Sequence, residues 1–134
     1  MNIGEAAAVS GVSAKMLRYY ERVGLIAPAG RSPAGYRRYA DHDVQALRFL
    51  RRARSLGFSV AQMRELLALW RDEGRASADV KRLALSHAAV LEQKARAIAE
   101  MSSALHHLAD RCDGDHRPHC PILEELADVG LAPP

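Results

Sequence analysis

Ser10-Gly11-Val12-Ser13-Ala14-Lys15-Met16-Leu17-Arg18-Tyr19-Tyr20-Glu21-Arg22-Val23-Gly24 is the stretch whose reading decides the fold. Gly11 can take a positive φ and Ser13 can cap a helix, so residues 10–13 read as a tight turn. A helix then runs from Ala14 to about Val23, with Met16, Leu17 and Tyr20 inward, and Gly24 ends it. Upstream, Ile3, Ala6, Ala7 and Val9 predict a short first helix. Two short helices around a glycine-containing turn form the helix-turn-helix pattern, whose second helix would carry Lys15, Arg18 and Tyr19 toward a major groove.

Residues 28–39 change character. Pro28, Gly30, Pro33 and Gly35 are turn residues, and the Tyr36-Arg37-Arg38-Tyr39 run alternates. The pattern predicts a small β-hairpin, a wing, with Arg31 and Arg37 facing phosphate; core packing is the plainer role for at least one of Tyr36 and Tyr39. A third helix opens at Asp41 or Asp43, with Val44, Leu47, Leu50 and Ala53 inward and Arg48, Arg51, Arg52 and Arg54 outward. Gly57 then suits a helix C′ position, and Ser59 with Gln62 spells a capping box. The fourth helix carries one apolar stripe of Val60, Met63, Leu66, Leu67 and Trp70, which reads as core.

Asp79 can cap a long fifth helix reaching about Leu108, roughly 45 Å at the usual rise. Leu91, Ile98 and Leu105 recur at heptad spacing, and Met101 and Leu108 add a second seam that His87 and Lys94 interrupt. One such helix cannot bury its stripe alone in a chain of 134 residues, so an antiparallel pair in a homodimer is expected. Gly114, Pro118 and Pro121 make 111–121 a loop, Ile122 to Ala127 a closing turn or two of helix, and Gly130 with Pro133-Pro134 a frayed end. The reading is therefore mostly α: a winged helix-turn-helix DNA-binding region over 1–76, a coiled-coil dimerisation helix over 77–110, and a metal-binding loop with a short C-terminal helix over 111–134.

Charge and cysteine usage point the same way. The net charge of +3 hides a basic first half and an acidic second, which suggests a polyanion partner for residues 1–57. Neither a leader nor a membrane-length apolar run is visible, so a cytoplasmic protein is expected, with thiols kept reduced. The two cysteines, Cys112 and Cys120, stand on one short polar loop with His116 and His119 between them. Soft thiolates favour Cu(I) and its heavier relatives, and two of them suit a linear site. A Cys₂His₂ zinc site using His116 and His119, and a disulfide redox switch, both remain open on spacing alone. Neither a nucleophile–base pair nor a phosphate-cradling glycine loop is present, so no enzyme is expected. A metal-buffering protein and a ligand-free architectural DNA-binding dimer are the other classes to weigh.

Ile3-Gly4-Glu5-Ala6-Ala7, Leu17-Arg18-Tyr19-Tyr20-Glu21 with Gly24-Leu25, Gly35-Tyr36-Arg37-Arg38-Tyr39 and Leu56-Gly57-Phe58-Ser59 together resemble the MerR family of transcriptional regulators. The resemblance spans nearly the whole chain and is closest to the copper-responsive CueR-type branch. It implies promoter DNA and RNA polymerase as partners, and Cu(I), Ag(I) or Au(I) as effector. It further implies Cys112 and Cys120 as the two thiolate ligands and Ser77 as the mark of a monovalent-ion sensor. The chain departs from some relatives in ending Leu-Ala-Pro-Pro rather than in a Cys/His-rich tail. Two thiolates with a monovalent ion leave one negative charge, which the positive start of the long helix and Lys81 in its first turn would offset. On the DNA side, Arg18 suits a base edge, while Lys15, Tyr19, Tyr20, Arg31, Tyr36, Arg37 and Arg54 suit phosphates. The implied mechanism is activation: the metal form bends and untwists a promoter whose spacer is too long for polymerase.

Overall fold

The computed structural model describes residues 1–31, 33–35 and 37–128. Tyr36, the side chains of Arg31 and Arg37, and the chain end at Gly130 and Pro133-Pro134 lie outside the described residues. Inter-residue contacts divide the chain into two compact units, Met1–Leu83 and Ala84–Pro134.

The first unit is built by local signals. Helix α1 (Ile3–Ser10) starts at Asn2, whose Oδ1 accepts from the Glu5 amide at 2.8 Å while the Glu5 side chain accepts from the Asn2 amide. It stops at Gly11, where φ is +78°. Helix α2 (Ala14–Arg22) follows after two residues, with Ser13 Oγ accepting from the Met16 amide at 3.1 Å. Strands β1 (Gly30–Arg31) and β2 (Arg37–Arg38) pair antiparallel, Gly30 opposite Arg38 and Arg31 opposite Arg37. Helices α3 (Asp41–Ser55) and α4 (Val60–Arg71) complete the unit, separated by Gly57 at φ +84° and the Ser59–Gln62 capping box. This is a mostly helical, winged helix-turn-helix fold.

Its core joins all four helices to the base of the wing. Leu17, Leu47 and Leu50 are wholly inaccessible, with Ala6, Tyr39, Met63 and Leu67 around them. Tyr39 ties the wing down. Its amide donates to the Met1 carbonyl at 2.7 Å and its hydroxyl donates to Glu21 of α2. Arg64 of α4 reaches the end of α2, donating to the carbonyls of Val23 at 2.9 Å and Gly24 at 3.3 Å.

Three sequence expectations are corrected and one holds. Tyr20 is only 1 % exposed, so it is a core side chain and cannot also lie on a phosphate-facing surface. Helix α3 does open at Asp41, after Ala40, which has no side-chain acceptor, and Asp43 reaches back to accept from the Ala40 amide at 2.8 Å. Trp70 is not core: it is 41 % exposed and stacks on Phe49, ring centroids 4.6 Å apart. Helix α5 spans Ser77–Asp110, starting two residues before Asp79, which sits in the first turn and pairs with Arg82 at 2.6 Å.

Within the second unit, α5 continues and is followed by α6 (Pro121–Ala127). Along α5, Leu91, Ile98, Met101 and Leu105 are all exposed, whereas His87 and Leu108 are buried.

Leu47→Ala removes the side chain at the centre of the first unit and is expected to cost about 2–5 kcal/mol. Urea unfolding at fixed protein concentration should show a lower midpoint with an unchanged slope; an unmoved midpoint would contradict this account of the core.

Candidate nucleic-acid interface and thiol site

The exposed face of α2 is cationic. Lys15, Arg18 and Arg22 fall at helical spacing, and the Arg22 guanidinium lies 5.5 Å from the centre of the Tyr19 ring. With Ser13 and Met16 these side chains line a groove of about 470 Å³. The structure thus brings Lys15, Arg18 and Tyr19 together and adds Arg22, which the sequence reading passed over although its spacing was visible. Arg54, predicted from α3, is exposed and donates to the hydroxyl of Tyr20. Burial pushes that phenol above its ordinary range, and the charge of Arg54 partly offsets the rise.

The backbones of Arg31 and Arg37 face each other across the wing, and Gly35 takes φ +85° within its turn. Arg48, Arg51 and Arg52 are exposed on α3, and Arg48 also donates to the Val9 carbonyl at 3.3 Å. Ser77 is the first residue of α5 and Lys81 is exposed near its start.

The thiol site belongs to the second unit. Helix α5 ends at Asp110, and the chain loops back so that both cysteines, reduced and half-buried, come within interaction distance of each other. Gly114 turns the loop with φ +66°. Arg117 braces it from inside, donating from its amide and Nε to Asp115 at 2.9 and 2.7 Å and from Nη2 to Asp113 at 3.0 Å. That bracing holds the Asp115 carboxyl below its usual range. Across the base of the loop, Arg111 pairs with Glu125 of α6.

Cys120 occupies the N-cap of α6, with Pro121 at the first helical position. Proline has no amide to leave unsatisfied there. The sulfur makes no close capping hydrogen bond, yet the amides of the first turn act on it. The Leu123 amide chiefly, then the Ile122 amide and the Cys112 thiol, hold the Cys120 thiol below its ordinary range, against opposing effects of burial and Glu124. The two loop histidines do not complete a four-ligand cage. His119 Nδ1 pairs with Glu124 at 2.9 Å, and His116 is exposed. Among the described residues, no group of three or more His, Cys, Asp or Glu side chains is placed to hold a metal ion.

The family profile described as MerR HTH family regulatory protein matches residues 1–70, and a second, described as MerR, DNA binding, matches residues 44–108. The chain belongs to the MerR family. It is 63 % identical over 128 residues to heavy metal-dependent transcription regulator 2 of Rhizobium meliloti, covering 96 % of this chain and 87 % of that one. It is 41 % identical over 127 residues to the regulator CueR of Escherichia coli O6:H1, covering 95 % and 94 %. Among solved structures, the lead(II) complex of the transcription regulator PbrR691 from Ralstonia metallidurans superposes with a TM-score of 0.82 at 29 % identity, covering 95 % of this chain and 99 % of that one. As a member of the MerR family the chain is a transcriptional regulator and not an enzyme.

A lowered thiol in the folded state means that thiolate persists to lower pH than in the unfolded chain. The alkylation rate of Cys120, followed by peptide mass spectrometry, should therefore rise with a midpoint below the roughly 8.5 of a free cysteine, returning to that value in denaturant. Equal midpoints in both states would contradict the role given to the α6 amides.

Proposed function

We propose that this metal-responsive MerR-family regulator answers to a monovalent soft ion, Cu(I) with Ag(I) and Au(I), held by Cys112 and Cys120. The observation that carries the reading is the meeting of two reduced thiols at the start of α6 with no third ligand grouped beside them among the described residues. Two thiolates fit the two-coordinate habit of Cu(I), whereas Zn(II) takes four ligands. The 41 % identity to CueR supports the same branch. Cys112 and Cys120 would hold the ion, which would supply a soft positive charge to the loop. The Ile122 and Leu123 amides, which act on the Cys120 sulfur, would offset the remaining negative charge of the two thiolates. Ser77 and Lys81 enter the reading as surroundings of the metal on family resemblance alone.

The partner is promoter DNA, read by a dimer in the cytoplasm; no helix among the described residues is long and apolar enough to cross a membrane. Arg18 takes a base edge, and Lys15, Tyr19, Arg31, Tyr36, Arg37 and Arg54 take phosphates. The exposed α5 face of Leu91, Ile98, Met101 and Leu105 pairs with a second copy. Residues 1–76 read DNA, 77–110 pair the subunits and 111–134 sense the ion. The sensing state biases the geometry of the two DNA-reading halves, so that the promoter is distorted for RNA polymerase. Closure of a disulfide between the same two thiols is the second reading, favoured by their proximity.

Anaerobic competition between Cu(I) and Zn(II) for the reduced protein is expected to favour Cu(I), with one ion per loop and loss of binding in Cys112→Ser. Zn(II) binding more tightly would overturn the monovalent reading, and a transcriptional response to oxidant but not to copper under strict reduction would favour the disulfide. Ile98→Glu places a charge on the α5 seam and should shift the sedimentation profile from dimer to monomer; an intact dimer would place the pairing surface elsewhere.

A further inference from the structure

Each of the two cysteines follows a basic residue, Arg111 before Cys112 and His119 before Cys120. Helix α6 takes hold of both. Arg111 pairs with Glu125, and His119 Nδ1 lies 2.9 Å from a Glu124 oxygen. Two successive carboxylates of one helix thus reach the residues that precede the sulfurs.

The Arg111 pair joins two elements that are themselves fixed. The amides of Arg111 and Cys112 donate to the Leu108 and Ala109 carbonyls at 3.2 and 3.1 Å, which tightens the end of α5. On the other side, the Glu124 amide donates to the Cys120 carbonyl at 3.1 Å, so the backbone of Cys120 is part of the first turn of α6. The sulfurs approach each other across the same two elements. Between them runs the segment 113–119, where Arg117 pairs with Asp113 and Asp115 inside the loop. Left to itself, such a segment samples many end-to-end separations, and closing it costs conformational entropy. The Arg111–Glu125 pair spans the gap that has to close.

We propose that Arg111 and Glu125 are positioning residues of the thiol site: their ion pair clasps the end of α5 to α6 and presets the approach of Cys112 Sγ to Cys120 Sγ before any ion arrives. The clasp lowers the entropy still to be lost when the sulfurs are linked, and so raises the effective concentration of one thiol at the other. A guanidinium facing a carboxylate suits this task, since its planar fork limits orientation as well as distance. The gain is modest, because the side chains of Arg111 and Glu125 are 59 % and 41 % exposed and water screens the pair. This role deepens the proposed function and rests on the two-thiolate reading given there.

Disulfide exchange with glutathione, in the metal-free full-length protein, tests the clasp without any ion. One glutathione disulfide is reduced to two thiols as the Sγ–Sγ bond between Cys112 and Cys120 forms, so the equilibrium constant reads the effective concentration of the two sulfurs. Arg111→Gln and Glu125→Gln should each lower that constant about two- to fivefold, with no further loss in the double variant. The charge-reversed pair, Arg111→Glu with Glu125→Arg, should recover most of the loss. Added salt should lower the wild-type constant more than that of either single variant. The single variants also separate geometry from charge. If the bare charge of Arg111 on the thiolates were what mattered, its removal would favour the disulfide and removal of Glu125 would disfavour it; opposite signs overturn the clasp. Constants unchanged in every variant overturn it as well. Cu(I) affinity, read by competition with a chromogenic chelator, should fall in the same order as the glutathione constants. If those constants fall as expected while the wild type binds Cu(I) no better than Cys112→Ser, the clasp stands and the two-thiolate metal reading falls. Tight Cu(I) binding that is equal in the wild type and all variants, with unchanged constants, overturns the clasp alone.

Discussion

At Gly11 the chain reverses between two helices within the few residues separating Ser10 from Ala14, and the left-handed backbone there sets the crossing of α1 and α2. That crossing presses Ala6 and Leu17 into one core with Leu47 and Leu50 of α3. Once α3 is fixed, its outward arginines are fixed beside the turn, and α4 follows through the Ser59 cap and the reach of Arg64 to α2. The wing depends on the same frame through Tyr39, which is gripped by Met1 on one side and Glu21 on the other. An L-residue at Gly11 would oppose both the turn and the packing of Arg51 upon it.

Much of this fold was legible because its signals are local. Turn glycines, the Ser13 cap and the Ser59–Gln62 box act within three or four residues, and so can be read from one stretch of chain. What escaped reading depends on distant partners. Nothing near Trp70 says that Phe49 will offer it a ring at the surface. Ala40 lacks every feature of a capping residue; Asp43 supplies the acceptor instead. The thiol site was half legible. The cysteines and the flanking Pro121 announce themselves, but their approach and the Arg111–Glu125 tie depend on how the loop closes.

The two chemical ends of the molecule solve opposite electrostatic problems with the same backbone device. At the α1–α2 turn, a helix start adds its positive end to the cations beside it. At the start of α6, a helix start offsets the negative charge that thiolates accumulate. In both, fixed dipoles act without the entropy cost of ordering long side chains. The exposed pairs inside the loop are a weaker kind of support. Arg117 with Asp113 and Asp115 shapes the loop more than it stabilises the protein, since exposed ion pairs are screened by water and salt.

Pro121 gives the thiol loop a mechanical character. Its ring fixes φ immediately after Cys120, at the first position of α6. A soft hinge at that junction would let the sulfur shift while the helix stayed put. With proline there, one rotatable bond is lost and the backbone of Cys120 is restricted too, so its movement is coupled more tightly to the axis of α6. A pull on that sulfur is therefore passed in part to a helix that carries the exposed Leu123 and Leu126.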